Sequence, residues 1–224
     1  DNVNVFFIDA QKFLKNIDKK SLEFFLENNL FKSPKRCEQF CLGRFLVKFV
    51  LKNYYDISEP KVVVQNKKPC LEGNNSVSFS ISHSNNIILA AFYKGAIGAD
   101  IEFMKDRDFD RLFAYYNIEQ DINSDKKEFF YNFWTKYESE IKLQKKAESS
   151  FSMHFMNDYM LSVSFSDSLN FSEIKNRLKI YEVVSPTDSI KPSELINLKL
   201  VIDSNKNENT VVAQEISTAQ FDFR

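Results

Sequence analysis

Asp100-Ile101-Glu102 is the pair of acids best placed to do chemistry together. In a strand, alternate residues share a face, so both carboxylates project one way while Ala99 and Ile101 turn toward a core. Two residues of rise separate them by about 7 Å at the backbone, within reach of one hard cation. Glu138, on a later helix beside Trp134 and Ser139, is a third acid. Three carboxylates, two from a strand end and one from a helix, suit Mg²⁺, which keeps waters and takes substrate phosphate as remaining ligands. His83, in Ile81-Ser82-His83-Ser84, has the chemistry of a phosphate donor or a general acid/base. Lys67-Lys68-Pro69 and Lys35-Arg36 are small basic clusters able to grip several phosphates of one ligand. Each piece also has a plainer reading. Asp-x-Glu is usually a solvated pair, Glu138 with Lys142 an ordinary i,i+4 ion pair, His83 a turn residue and the basic clusters surface charge. Trp134 and its neighbouring phenylalanines are expected in the core, and His154, alone in an alternating hairpin, is expected to be structural.

The elements that would position these residues are visible in the pattern. Residues 3–8 form a short strand and 21–28 a helix. Ser33-Pro34 opens a longer helix to about Asn53, with Phe40, Phe45, Leu46 and Phe49 at helical spacing. A strand over 62–64 and a turn at Asn66-Lys67-Lys68-Pro69 follow. Val77, Phe79 and Ile81 then alternate with Ser76, Ser78, Ser80 and Ser82, giving one apolar and one hydroxyl-lined face. Strands over 87–93 and 96–103 complete an expected three-strand meander. A helix is expected near 109–116. Asp125 with Glu128 three positions on caps another, running to about Lys146. A hairpin over 151–156 and 159–165 follows, then strands over 178–184, 198–202 and 210–213. A long helix followed by an antiparallel meander thus occurs twice. The fold class is α+β with two similar lobes related by a pseudo-two-fold axis, 1–103 and 104–224, and the active site between them.

Composition narrows the function. With 30 Lys+Arg against 31 Asp+Glu in 224 residues, a formal charge of −1 supplies no bulk attraction to nucleic acid or an anionic membrane. A metal-dependent nuclease built on the same carboxylates would lack its basic face. Two histidines and three cysteines give little basis for a zinc cage, and Cys37 and Cys41 fit as small apolar helix residues. No run of about 18 apolar residues and no basic-then-apolar leader pattern occurs, so a soluble, cytoplasmic protein is expected.

Taken in order, the motifs resemble the larger, monomeric 4′-phosphopantetheinyl transferases. That family carries a Gly-Lys-Pro-like turn, a Ser-His hairpin, a Gly-x-Asp-x-Glu strand and a Trp-x-x-Lys-Glu-(Ser/Ala)-x-x-Lys helix. The matching stretches are Lys67-Lys68-Pro69, Phe79 to Ser84, Gly98-Ala99-Asp100-Ile101-Glu102 and Trp134 to Lys142; the resemblance covers roughly residues 33–184. It implies transfer of 4′-phosphopantetheine from coenzyme A to a serine of an apo-carrier protein (acyl, polyketide or peptidyl), releasing 3′,5′-ADP. It implies Mg²⁺ on Asp100, Glu102 and Glu138, with Lys68, His83 and Lys142 on the phosphates beside Ser82. Such chemistry needs charge neutralisation and a deprotonated hydroxyl, and Glu138 or a metal-bound water could take the serine proton. Two positions depart from the pattern. Tyr137 stands where the family has Lys, with Lys136 one place earlier; Gln39 stands where it has Arg, with Arg36 one turn before. Lys136 and Arg36 are therefore candidate substitutes. The alternative is a catalytically degenerate relative that only binds coenzyme A or a carrier protein.

Overall fold

The computed structural model describes residues 2–17, 33–73, 76–119, 125–186, 191–192 and 200–201. The expected helix over 21–28 and strand over 210–213 lie outside them. The described elements are β1 (Val3–Asp9), α1 (Ala10–Lys15), α2 (Pro34–Asn53), β2 (Val62–Gln65), β3 (Lys68–Leu71), β4 (Ser78–Ser84), β5 (Ile87–Tyr93), β6 (Ile97–Phe103), α3 (Phe109–Tyr116), α4 (Lys126–Leu143), β7 (Ser149–Phe155), β8 (Tyr159–Phe165), α5 (Phe171–Arg177), β9 (Leu178–Glu182), β10 (Lys191–Pro192) and β11 (Leu200–Val201). The chain is α+β. None of its described helices is long and apolar enough to cross a membrane.

Two sheets carry the architecture, ordered β10-β9-β1-β5-β4 and β11-β7-β8-β6, with β2-β3 as a separate hairpin. The expected meander is corrected at its third strand. Both edges of β5 are taken, by β1 and by β4, so β6 cannot pair with it. Instead β6 crosses to the second sheet and pairs antiparallel with β8, Asp100 opposite Ser162 and Gly98 opposite Ser164. In return β9 joins the first sheet, parallel to β1. Both sheets therefore draw strands from either side of residue 103.

The sheets pack face to face. Val3, Val5, Phe7, Leu89 and Ala91 of the first meet Ile97, Ala99, Ile101, Phe155, Leu161 and Val163 of the second, all buried. Phe7 sits edge-on to Phe155 at 5.1 Å, a favourable aromatic geometry. On the outer face of the first sheet, Phe6, Ile8, Ile88 and Phe92 pack under Leu42, Leu46, Val47 and Val50 of α2. Strands β1 and β5 are covered on both faces, which is why their sequences are almost uninterruptedly apolar. Cys37 and Cys41 are buried on α2, as their small apolar character predicts.

The outer face of the second sheet is different in chemistry. There α4 rests on hydroxyls. Thr135 Oγ1 lies 2.7 Å from Ser162 Oγ, itself 2.8 Å from Ser152 Oγ. Ser139 Oγ lies 2.7 Å from Ser164 Oγ, itself 2.9 Å from Ser150 Oγ. Small side chains bring helix and sheet close, and the paired hydroxyls avoid the penalty of unsatisfied buried oxygens. Asp125 accepts from the Glu128 amide at 2.9 Å and starts α4 where its capping signal falls. The helix stops at Leu143, short of the expected Lys146, because Gln144 turns left-handed at φ 59°.

Candidate active site

Strand alternation sends Ala99 and Ile101 into the inter-sheet core and leaves Asp100 and Glu102 on the opposite face, under α4. One cavity of about 330 Å³ is lined by Ile81, Ser82 and His83 from β4, Asp100 and Glu102 from β6, and Trp134, Glu138 and Lys142 from α4. Trp134, Glu138 and Lys142 follow at four-residue intervals and so share one helix face. Six of the residues singled out in the sequence thus meet: Ser82, His83, Asp100, Glu102, Glu138 and Lys142.

The hydrogen bonds are asymmetric. Asp100, 4% exposed, accepts from Lys142 Nζ at 2.6 Å and Ser82 Oγ at 2.8 Å, both on Oδ1. Its Oδ2 is buried with no partner. Lys142 Nζ also donates to Ser82 Oγ at 3.0 Å. Ser84 Oγ donates to Glu102 Oε2 at 2.7 Å.

Three carboxylates face one ammonium, and the titrations follow. Burial, and then the neighbouring Asp100, raise Glu138 above its ordinary 4.5 against the pull of Lys142. Burial likewise raises Glu102, with the Ser84 hydrogen bond opposing it. His83 is exposed at the mouth, yet desolvation along its walled side, with Lys142 adding, lowers its pKa. A raised carboxylate favours the protonated fold, so that stability is complete below 4.5 and is lost as pH rises through the raised value. Glu138→Gln should therefore melt progressively higher than the parent as pH rises above 4.5 in chelator. Melting curves whose difference stays flat over that rise would contradict the buried, carboxylate-crowded setting of Glu138.

The donor set fits a divalent cation. An orphaned, buried carboxylate oxygen and a surplus of anions are what such an ion would satisfy. Among the described residues no three His, Cys, Asp or Glu come together closely enough to hold a metal ion by themselves, and Lys142 occupies Oδ1 of Asp100. A cation that keeps waters and borrows ligand oxygens does not require a closed cage.

The other expected residues lie outside the cavity lining. Lys68 Nζ donates to the Ile97 carbonyl at 2.8 Å, and burial lowers its pKa to about 8. Arg36, in the first turn of α2, is close enough for its charge to act on His83. Lys136 is half-buried on α4, its carbonyl accepting from Ser139 Oγ at 2.7 Å. At the two departing positions, Gln39 Nε2 holds the β4–β5 turn through Asn85 O at 3.1 Å, and Tyr137 stacks on Phe133 with centroids 6.2 Å apart. His154 is structural in setting, its Nε2 lying 3.3 Å from a carboxylate oxygen of Glu128. Trp134, expected as core, packs with Phe113, Phe130 and Tyr131 and also walls the cavity. Its position one turn before Glu138 was the available signal.

The Bacillus subtilis 4′-phosphopantetheinyl transferase Sfp is 31% identical over 155 residues, 63% of this chain and 67% of Sfp. The chain belongs to the 4′-phosphopantetheinyl transferase family. A second Bacillus subtilis 4′-phosphopantetheinyl transferase, ffp, is 30% identical over 139 residues, and the match spans 62% of ffp, under two thirds of its length. No protein-family model matches the chain. Within this transferase family scaffold, the carboxylate pair, Ser82-His83 at the end of β4 and the Glu138–Lys142 face of α4 line one cavity.

Proposed function

We propose that the chain transfers the 4′-phosphopantetheine arm of coenzyme A to a serine of an apo-carrier protein (acyl, polyketide or peptidyl) and releases 3′,5′-ADP. The observation that carries this reading is the cavity in which Asp100, Glu102 and Glu138 face Lys142 while the buried Asp100 Oδ2 has no partner. An anionic site attracts a diphosphate only through a cation. Asp100, Glu102 and Glu138 are the residues to hold Mg²⁺, which when bound neutralises diphosphate charge.

The chain's own residues supply the rest. Lys142 from α4 and His83 from β4 bind phosphate oxygens, with Ser82 Oγ against Lys142 Nζ. Lys68, Arg36 and Lys136 lie further out and grip the remaining phosphates, Arg36 and Lys136 replacing the cations absent at Gln39 and Tyr137. Glu138, with its raised pKa, accepts the proton of the attacking serine hydroxyl. The serine oxygen attacks the β-phosphorus as the bond to the 3′,5′-ADP oxygen breaks. The same reading takes 1–103 and 104–224 as pseudo-two-fold lobes of a cytoplasmic monomer; a cavity lined by β4 from one and α4 from the other supports a site between them.

Incubation with coenzyme A, Mg²⁺ and a panel of apo-carrier proteins, followed by intact mass, tests the proposal. The expected result is one phosphopantetheine added to a carrier, abolished by chelator. Gln39 and Tyr137 favour a second reading, a degenerate binder. Coenzyme A binding with no carrier modified anywhere in the panel would establish that alternative.

A further inference from the structure

The hydroxyls of β4 form a seam along β6. Ser80, Ser82 and Ser84 Oγ accept in turn from the Ala99, Ile101 and Phe103 amides at 3.0, 3.2 and 3.0 Å. This edge of β6 is therefore satisfied by side chains instead of by a neighbouring strand's carbonyls. A hydroxyl has one proton and two acceptor lobes. With an amide on one lobe, the direction of that proton is constrained.

At Ser82 the hydroxyl is saturated. It accepts from Ile101 N and Lys142 Nζ and donates to Asp100 Oδ1. At Ser84 the proton goes to Glu102 Oε2 at 2.7 Å. Ser80 makes the same amide contact but no carboxylate hydrogen bond among the described residues. The seam thus holds one oxygen of each carboxylate, and Asp100 Oδ2 is left without a partner. Asp100 is held by Oδ1 and Glu102 by Oε2.

We propose that Ser84 is a positioning residue that holds Glu102 Oε2, so that Asp100 and Glu102 each present a single oxygen to the divalent cation. The inference rests on the cation site of the transfer reading and adds how the acids are oriented. One oxygen per carboxylate suits the compact, water-retaining shell of Mg²⁺, whereas Ca²⁺ takes more oxygens and accepts both from one acid.

Mn²⁺ titration followed by electron paramagnetic resonance, with and without coenzyme A, tests this on the folded protein without turnover. Ser84→Ala should weaken Mn²⁺ binding by about tenfold, and Ser84→Thr, which keeps the hydroxyl, should restore it to within about threefold. Ser80→Ala removes an equivalent seam bond without touching a carboxylate and should leave Mn²⁺ affinity within about twofold. Equal losses in Ser80→Ala and Ser84→Ala would reduce Ser84 to a structural seam residue and overturn the proposal. Parent-like binding by Ser84→Ala would also overturn it while leaving the transfer reading intact. If Ser84→Ala does not fold, Ser84→Cys keeps the volume with a weaker donor, and the same loss is expected; parent-like affinity there overturns the proposal. A parent that binds no Mn²⁺ with or without coenzyme A removes the cation site, and both ideas fall together.

Discussion

Gly98→Ala should destabilise the protein by about 3 kcal/mol or more and abolish phosphopantetheine transfer, though residue 98 bears no functional group. A Cβ at this position would run into the carbonyl oxygen of Ser139, and would come within 2.6 Å of the Leu143 amide nitrogen. Both obstacles are helix backbone, which cannot rotate aside as a side chain can. Either α4 lifts away from β6 or β6 bends. Lifting α4 breaks the Thr135–Ser162 and Ser139–Ser164 hydroxyl contacts and leaves buried oxygens unpaired. The same movement withdraws Glu138 and Lys142 from Asp100, including the 2.6 Å ion pair. For a chain of this length the melting temperature should fall by roughly 6–12 °C. The informative comparison is Gly95→Ala, whose Cβ would meet the side chains of Asp167 and Tyr93 instead. That loss should be smaller and should spare activity. If Gly98→Ala melts like the parent and still modifies carriers, the close seating of α4 is not what assembles the site.

This geometry marks where sequence reasoning reached and where it stopped. The carboxylate face of β6 follows from two-residue alternation alone, and the start of α4 follows from Asp125, because both are local rules. Ser82, His83, Asp100, Glu102, Glu138 and Lys142 meeting in one cavity was anticipated from motif order. The exit of β6 into the second sheet was not. A short turn after β5 suggests a hairpin, and only the prior occupation of both β5 edges forbids it, which is a fact about β1, some eighty residues away in sequence. The hydroxyl face of β4 was visible as alternating serines, but nothing local says that those serines would stand in for a strand. In the sequence Gly98 is a motif letter, and the need for it comes from the α4 backbone packed against it. Gln39 and Tyr137 were legible as departures. Their present partners, the Asn85 carbonyl and the Phe133 ring, depend on packing between elements distant in sequence or on a helix face whose neighbours were unknown.

Asp100→Asn should lower transfer by about 10³-fold while leaving the protein folded. The substitution keeps shape. The new amide oxygen can still accept from Lys142 and Ser82, while the new NH₂ replaces the partnerless Oδ2. Stability should fall by only about 1–2 kcal/mol, less than for a fully buried pair, because the Lys142 side chain is 29% exposed and remains hydrated. The decisive quantity is the effect of Mg²⁺ on coenzyme A affinity, measured by calorimetry with and without chelator. In the parent, three carboxylates repel the diphosphate until a cation intervenes, so Mg²⁺ should tighten binding by more than about tenfold. Without Mg²⁺, Asp100→Asn has one charge fewer and should bind coenzyme A at least as well as the parent. With Mg²⁺, it should gain little. The same change removes the anion that helps raise Glu102 and Glu138, so both acids should ionise at lower pH and the acid limb of any residual activity should move down. A variant that is merely misfolded would lose affinity under both conditions, and a variant whose Asp100 only anchors Lys142 would keep its response to Mg²⁺. A preserved Mg²⁺ response in Asp100→Asn would therefore take Asp100 out of the cation site and leave it as the counter-ion of Lys142.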